Sequence, residues 1–293
     1  MMALLLLLLS VPCVWTQGIE GRGALEAAGL KRLCHEAELA SREAVPTPGI
    51  AARAGVASPT RSPWIVANGW RFMRHPGRKY IYDVPAGKAA LAVAEAFAYG
   101  ADAVVNVDPA DAGRLAAMLT FVEALPAVDL PVMADLAVVE DGSAVTGEVM
   151  NLLARRNLLF HVVQTPSPTV RINITIGAAG YPIEDAADPN AFALKIRRQL
   201  TDDQRSLRIY GSEVVIGRLA GDASRARLHL INYGGREIEG LRVRLRGGFR
   251  SGEAYIADTG RLPLQDHIVA DGFTEFSVPR LATYAAIDLE AGR

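Results

Sequence analysis

The chain has 293 residues, of which 50% are hydrophobic and 22% are charged, and its formal net charge is −1 at pH 7. This composition excludes an intrinsically disordered chain, because there is enough apolar surface to form a core. The near-zero charge argues against a nucleic-acid-binding protein, and the length predicts about two domains.

Residues 1–18 are predicted to be a signal peptide. The apolar run from Ala3 to Leu9 is too short to span a bilayer, and Thr16-Gln17-Gly18 offers small residues for cleavage, as does Val11-Pro12-Cys13. A secreted or periplasmic location follows, with no membrane association once the signal is removed. Because removal leaves Cys34 as the only cysteine, no intrachain disulfide is expected.

Residues 19–61 are predicted to form a helix and a linker. Apolar residues at helical spacing favour a helix over 24–45, in which Cys34 is a buried thiol. Prolines and glycines between residues 46 and 63 then indicate an irregular connection.

Residues 62–210 are predicted to form an α/β region. An Ala-rich helix begins after Pro85 and stops at Gly100, and later helices begin at the capping residues Asp108, Ser143 and Asp188. Short apolar strands separate these helices. Strands that alternate with helices of this length indicate βαβ units and a mainly parallel sheet.

Residues 211–293 are predicted to form an antiparallel β-sandwich, because short alternating strands and an Asp-Gly hairpin turn follow one another closely. Arg242, Arg244 and Arg246 alternate with apolar residues, which places three guanidinium groups on one strand face. That face is more often a solvated outer surface; the alternative is a site for acidic polysaccharide.

Carboxylates are the candidate catalytic groups. No nucleotide-binding loop, metalloprotease motif or nucleophile elbow occurs, and the histidines are scattered, so neither a cofactor nor a metal is predicted. Asp83 ends a strand, and Asp135 lies within an apolar strand, where it needs a polar partner. Glu140 and Asp141 follow a strand at the edge where α/β sheets bind ligands, although turn and capping roles explain such residues more often.

An aromatic segment is the candidate recognition site. Two of the chain's three tryptophans, Trp64 and Trp70, lie within seven residues of sequence, close to Asn68 and Arg71. Aromatic faces with a few hydrogen-bonding groups suit the apolar faces and hydroxyls of sugars, so these four residues are predicted to bind substrate. The alternative is that both tryptophans belong to the core.

Three segments resemble large secreted bacterial glycoside-hydrolase-like proteins. The run Ser-Pro-Trp-Ile-Val-Ala-Asn-Gly-Trp-Arg-Phe from Ser62, with Tyr-Ile-Tyr-Asp-Val-Pro-Ala-Gly-Lys from Tyr80, is similar to the end of their barrel. Residues 133–210 resemble the degenerate glutamine-amidotransferase-like, flavodoxin-like domain that follows it, and the final module resembles their closing sandwich. The resemblance implies a barrel-remnant or flavodoxin-like region, divided into 62–130 and 131–210, before the sandwich.

A complete (β/α)₈ barrel needs roughly 200 residues, which do not fit before the second α/β segment. The resemblance therefore implies a shortened relative: an exported accessory or sugar-binding protein whose partner is a polysaccharide or oligosaccharide. An active glycosidase with a carboxylate pair is one alternative. A structural or oligomerisation module is another, and a homo-oligomer is compatible with each of these.

Overall fold

The computed structural model describes residues 11–51 and 63–292, which fall into two compact units. The first unit runs to Asp129 and includes Tyr233–Gly235 and Ala257–Thr259; the second comprises Leu130–Asn232, Arg236–Ile256 and the chain from Gly260. The first ten residues of the predicted signal peptide, residues 52–61 of the predicted linker and Ser62, the first residue of the predicted α/β region, lie outside the described residues.

Short strands and helices alternate in the first unit. They are β1 (Cys13–Trp15), α1 (Ile19–Ala27), β2 (Glu43–Val45), β3 (Gly49–Ala51), β4 (Trp64–Val66), α2 (Gly69–Arg74), β5 (Lys79–Asp83), α3 (Ala89–Tyr99), β6 (Asp102–Asn106) and α4 (Ala112–Ala124). The predicted Ala-rich helix is α3, and Gly100 ends it in the left-handed conformation with φ 62°.

The main sheet of this unit is parallel and has the strand order β1-β6-β5-β2. Leu33 adds a parallel bridge to Val14 on the free side of β1. Along the chain these parallel elements come in the order β1, Leu33, β2, β5 and β6. Each observed pairing joins two elements that are consecutive in this order, and β6, the last, pairs with β1, the first. This is the strand order of a parallel barrel. Among the described residues no pairing joins Leu33 to β2, so the ring of strands is open there.

The N-terminal part differs from the sequence-based expectations. The predicted helix over 24–45 is wrong: α1 ends at Ala27, and Gly29, with φ 84°, turns the chain into an extended segment beside β1. The absence of a disulfide was also a wrong prediction, because Cys13 of β1 is bonded to Cys34, with Cα atoms 5.6 Å apart. Cys34 is therefore not a helical thiol. The predicted signal peptide stays a prediction, and it overlaps β1.

The second unit begins with a small α/β layer. It contains β7 (Leu136–Val139), α5 (Ala144–Arg155), β8 (Phe160–Val163), β9 (Ile172–Ile174), α6 (Ile183–Ala186) and α7 (Pro189–Leu200). The three strands form a parallel sheet in the order β8-β7-β9. Ser143 and Asp188 accept hydrogen bonds from the first turns of α5 and α7, which confirms the predicted caps.

Two antiparallel sheets complete the second unit. Their strands are β10 (Leu207–Ile209), β11 (Val215–Gly221), β12 (Arg225–Asn232), β13 (Ile238–Arg246), β14 (Ser251–Ile256), β15 (Gly260–Pro263), β16 (Gln265–Ala270), β17 (Phe273–Leu281) and β18 (Tyr284–Glu290). The sheet orders are β10-β13-β17-β16 and β11-β12-β18-β14-β15. Inward-facing residues of both sheets, such as Leu228, Val243 and Phe276, form one core.

The predicted fold class is therefore confirmed: parallel βαβ layers precede antiparallel sheets. The predicted hairpin turn is present between β16 and β17, where Asp271 and Gly272 both have positive φ. Within the described part of the chain, every helix is too short or too polar to cross a membrane.

Candidate functional site

Three side chains stand at one level of the first unit's parallel sheet, at its carboxyl edge. Trp15 ends β1 and pairs in register with Asn106 of β6, which in turn pairs with Asp83 of β5. Asn106 Nδ2 donates to Asp83 Oδ1 at 2.9 Å. Residues at one level of a sheet point to the same face, so the tryptophan, the amide and the carboxylate form a row, here called the edge row.

The edge row lies on the face opposite the helix that follows β5. The hydroxyl of Tyr82 donates to Glu95 of α3, so Tyr82 points towards that helix, and the next residue, Asp83, points away from it. Asp83 is exposed, and Trp15 and Asn106 are half-buried. The carboxyl ends of parallel strands are where α/β folds bind ligands.

The backbone around the edge row is held by hydrogen bonds between neighbouring loops. The amide of Val84 donates to the carbonyl of Asn106, and that of Val107 to the carbonyl of Trp15, at 3.1 and 3.0 Å. The hydroxyl of Thr47, after β2, donates to the carbonyl of Asp83 at 3.1 Å. These contacts fix the ends of four strands, which pre-organises the row.

A lysine lies in the loop between β5 and α3. The buried carboxylate of Asp111 accepts hydrogen bonds from the amide of Gly87, at 2.6 and 2.7 Å, and from Ala89 at 3.3 Å, and so fixes this loop. Lys88 is half-buried, and its Nζ lies against Gly49, since a Cβ atom at that glycine would be only 3.1 Å from Nζ. It makes no ion pair with any described residue.

A buried carboxylate supports the site from the helix side. Glu95 is fully buried, and its two oxygens accept four hydrogen bonds, from the backbone and side-chain amides of Asn68 and from the hydroxyls of Tyr82 and Tyr233. Burial raises the pKa of Glu95, while these hydrogen bonds act in the opposite direction. Burial also raises the pKa of both tyrosines well above the usual value, so both hydroxyls stay protonated donors.

The predicted sugar-binding residues are divided between core and surface. Asn68 is fully buried against Glu95, and Trp70 is only 5% exposed. Arg71 is half-buried and places its guanidinium 4.2 Å from the centre of the Trp70 ring. Trp64, on β4, is also half-buried. Asn68 thus acts within the core, and its role as a substrate-binding residue stays a prediction.

The predicted carboxylates are divided between the two units. Asp83 belongs to the first unit and the other three to the second. Asp135 precedes β7, whereas Glu140 and Asp141 follow it. At about 3.3 Å per residue, five residues of extended chain separate Asp135 from Glu140 by about 16 Å. A glycosidase pair needs carboxyl groups roughly 5–9.5 Å apart, so this strand does not supply one.

The second-unit carboxylates have structural partners. Asp135 accepts hydrogen bonds from the amide and the hydroxyl of Ser206, the latter at 2.6 Å, which ties β7 to β10; burial raises its pKa. Glu140 accepts from the amide of Gly142, and Asp141 from the amide of Ser143. These are the bonds of a turn and a helix start, as the more common interpretation of this loop expects.

The described residues offer little for a metal or a deep ligand pocket. Among them, three metal-ligating groups meet at Cys13, Cys34 and Glu38, where the two sulfurs are bonded to each other and are not thiolates. A cavity of about 10 Å³ lies where β1 meets α1 and includes Trp15 and Thr16 in its lining. That volume holds about one water molecule and is too small for a sugar, so we expect a sugar to bind at the surface of the edge row.

Sequence reasoning missed Trp15, Asn106, Lys88 and Glu95. Trp15 lies in the predicted signal peptide, and Asn106 lies within one of the predicted short apolar strands. One signal was available for Glu95: a single charged residue stands at the centre of an Ala-rich apolar helix. Such a residue needs buried partners, and only the fold shows which ones it has.

The comparisons with known proteins give a likeness of fold. No protein-family model matches the chain, and no curated protein matches it. The α-L-fucosidase isoenzyme 2 from Paenibacillus thiaminolyticus superimposes with a TM-score of 0.55 at 11% identity, over 75% of this chain and 62% of the fucosidase chain.

Two further structures are less similar. A rhamnosidase from Novosphingobium sp. PP1Y has a TM-score of 0.46 at 10% identity, over 72% of this chain and 31% of its own. A β-galactosidase from Rahnella sp. R3 has a TM-score of 0.43 at 11% identity, over 92% and 57%. The chain thus spans less than two thirds of each of these proteins. The fucosidase shows that the fold is glycoside-hydrolase-like, which confirms that part of the resemblance.

Proposed function

We propose that the protein is an exported carbohydrate-binding protein with a glycoside-hydrolase-like fold, which binds an oligosaccharide or a polysaccharide end at the edge row. The observation that carries the proposal is the register of Trp15, Asn106 and Asp83 on three neighbouring strands, with Asn106 bonded to Asp83. The structures it resembles are named as a fucosidase, a rhamnosidase and a β-galactosidase, which favours a sugar as the ligand.

The edge row has the chemistry that a sugar requires. The Trp15 ring offers a flat apolar surface for the C–H face of a sugar ring. Asn106 Oδ1 and Asp83 Oδ2 have no hydrogen-bond partner among the described residues, so both can accept from sugar hydroxyls. Lys88, held in the neighbouring loop, adds a donor. The row is fixed in place before binding, which reduces the entropy lost when the sugar docks.

The accessory role is preferred to a catalytic one because the other carboxylate identified at this edge, that of Asp108, is engaged as a helix cap. A glycosidase is the second candidate, since Asp108 follows β6 at the same edge and is exposed. Its Oδ1 accepts from the amide of Ala110 at 2.9 Å, as a helix cap does. Catalysis would require Asp83 and Asp108 to act as a pair.

Binding and turnover separate the two candidates. The purified chain is screened for binding and for new reducing ends against neutral and acidic oligosaccharides, with Trp15→Ala, Asp83→Asn and a control, Asp129→Asn, which changes an exposed loop residue. If the proposal is right, the parent protein binds a sugar and releases no reducing ends. Trp15→Ala should weaken this binding by about tenfold or more, and the control should leave it unchanged. Reducing ends that disappear in Asp83→Asn while binding remains would overturn the accessory role.

Export is tested by the mature N-terminus. Val14 is fully buried in β1, and Cys13 is in a disulfide, so the edge row requires that any cleavage leave these residues in place. Mass spectrometry of the exported protein is expected to find a mature chain that retains Cys13 to Trp15. A mature chain beginning at Ile19 would lack Trp15 and would remove the edge row as a binding site.

A further inference from the structure

The outer face of the sheet β10-β13-β17-β16 carries clustered arginines and aromatic rings. Because Leu241, Val243 and Leu245 point into the core, the residues between them on β13 point outwards. The face so formed is here called the arginine face, and it consists of Arg208, Tyr210, Arg242, Arg244, Arg246, Phe273 and Glu275.

Two of these arginines stand directly opposite each other. Arg208 of β10 pairs in register with Arg244 of β13, and Arg242 and Arg246 lie two residues to either side of Arg244. Like charges directly opposite across an antiparallel pair destabilise a sheet. Arg208 and Arg244 are half-buried, so this register costs stability, as binding surfaces often do.

Aromatic rings hold two of the guanidinium groups in place. The Cζ of Arg208 lies 4.6 Å from the centre of the Tyr210 ring, and that of Arg244 lies 3.6 Å from the centre of the Phe273 ring. Both rings are half-buried. A guanidinium stacked on a ring keeps its N–H groups free to bind a carboxylate or sulfate in a fixed orientation.

The positive charges are only partly neutralised. Glu275 is the one carboxylate of the arginine face; it pairs with Arg242 at 2.5 Å and lies 3.6 Å from Arg244. Asp202, in a loop, pairs with Arg208 at 3.1 Å. Arg246 is exposed, donates to the carbonyl of Gln204, and makes no ion pair with any described residue. Asp203, in the same loop, lies 3.8 Å from Arg244. Four guanidinium groups are therefore matched by three carboxylates, those of Asp202, Asp203 and Glu275, which leaves an excess of one positive charge.

We infer that the arginine face binds an acidic polysaccharide, through the carboxylates of uronic acids or through sulfates. Arginine pairs with planar carboxylates through two parallel hydrogen bonds, and the ring edges of Tyr210 and Phe273 offer contacts for the sugar C–H groups. The surrounding chain agrees in charge: residues 195–250 contain 13 Lys and Arg against 6 Asp and Glu. The inference is independent of the edge row, since it uses no residue of the first unit.

The test is binding to alginate, polygalacturonate and a sulfated glycan, measured by calorimetry at about 50 mM salt and again at about 200 mM. The variant is Arg242→Gln with Arg246→Gln, and the matched control is Arg261→Gln, an exposed arginine of the other sheet that pairs with Glu253. Near-UV circular dichroism of each protein checks the fold. Duplex DNA serves as a polyanion without sugar carboxylates.

We expect at least one acidic polysaccharide to bind, to bind more weakly at the higher salt, and to lose about tenfold in affinity in the double variant while the control stays within about twofold. The double variant leaves every residue of the edge row unchanged, so its loss of affinity reports on the arginine face alone. Absence of binding to all three polymers overturns the inference. So does unchanged binding by a folded double variant, or equally tight binding of DNA.

Discussion

Removal of the Glu95 carboxylate should destabilise the first unit more than any exposed substitution. Glu95 is fully buried on α3 and accepts hydrogen bonds from Asn68 Nδ2 at 3.0 Å, from the Asn68 amide and Tyr82 hydroxyl at 2.6 Å, and from the Tyr233 hydroxyl at 2.7 Å. Glu95→Ala leaves these donors unpaired and also leaves a cavity. Each unpaired buried donor costs about 1–3 kcal/mol, so the loss of four acceptor contacts should cost about 4 kcal/mol or more.

Two conservative variants divide this cost. Tyr233→Phe removes one hydrogen bond to the carboxylate and is expected to cost about 1.5–3 kcal/mol. The backbone amide of Asn68 donates to Oε1 of Glu95, and the side-chain amide donates to Oε2. In Glu95→Gln one of these oxygens becomes an NH₂ group, so a donor then faces one of the two Asn68 amides. The backbone amide cannot accept a hydrogen bond. A flip of the Asn68 side chain would turn its Oδ1 towards the new NH₂ group but would give up the hydrogen bond from Nδ2 to the carbonyl of Pro46 at 2.9 Å, so we expect Gln to cost about 1–3 kcal/mol.

The pH dependence has a definite sign. Burial raises the pKa of Glu95 above its usual 4.5, so the folded state binds this proton more tightly than the unfolded state does. The stability contributed by this ionisation is full below pH 4.5 and is lost as the pH rises through the pKa of the folded protein. Glu95→Gln should remove this part of the pH dependence.

Tryptophan fluorescence during urea unfolding measures these effects, because Trp15, Trp64 and Trp70 all belong to the first unit. Glu123→Ala, an exposed glutamate of α4, is the matched control and should stay within about 0.5 kcal/mol of the parent protein. If Glu95→Ala and Tyr233→Phe both stay within that range at an unchanged m-value, the reasoning about the buried network is refuted.

Three further outcomes are expected. Cys34→Ser should lower the free energy of unfolding by about 3 kcal/mol, because the bond to Cys13 closes a loop of 21 residues; equal urea midpoints with and without reductant would contradict this. Gly69→Ala should prevent folding or cost about 3 kcal/mol or more, since a Cβ there would overlap the Tyr99 ring; normal expression and an unchanged Tm would speak against that packing. Burial lowers the pKa of His229 well below 6.5, so the unfolded state takes up a proton first and stability should fall by up to about 1.4 kcal/mol per pH unit below pH 6.5. His229→Gln should flatten this slope in urea midpoints measured from pH 7 to pH 5, and an identical slope in both proteins would show that another group is responsible.

Local patterns predicted most of the elements. Helix caps at Ser143 and Asp188, the stop at Gly100, and alternation along β12 and β13 all correspond to observed elements. Each of these signals depends on neighbours in sequence, which is why one chain is enough to find them.

The N-terminal part could not be predicted in this way. Residues 24–45 contain the end of α1, an extended segment that bridges to β1 at Leu33, and β2, and Gly29 marks the first break. The apolar stretch that resembles a signal peptide also contributes Val14 to a parallel sheet, and the pairing partner Val105 is about ninety residues away. Non-local pairings of this kind leave no local pattern.

The candidate site was predictable only in part. Asp83 is a candidate in the sequence because it ends a strand, and its role stays a prediction. Its partner Asn106 and its neighbour Trp15 come together with it only through strand order. The sequence also did not show whether residues of the aromatic segment bind a sugar or belong to the core. In the structure the side chain of Asn68 donates a hydrogen bond to Glu95, and Trp70 is buried.

A crystal structure with a bound oligosaccharide tests the central claim most directly. The account predicts a sugar ring stacked on Trp15, with its hydroxyls bonded to Asn106 Oδ1 and Asp83 Oδ2, and little movement of the strand ends. A sugar bound elsewhere in the first unit, with Trp15 covered by protein, would contradict it.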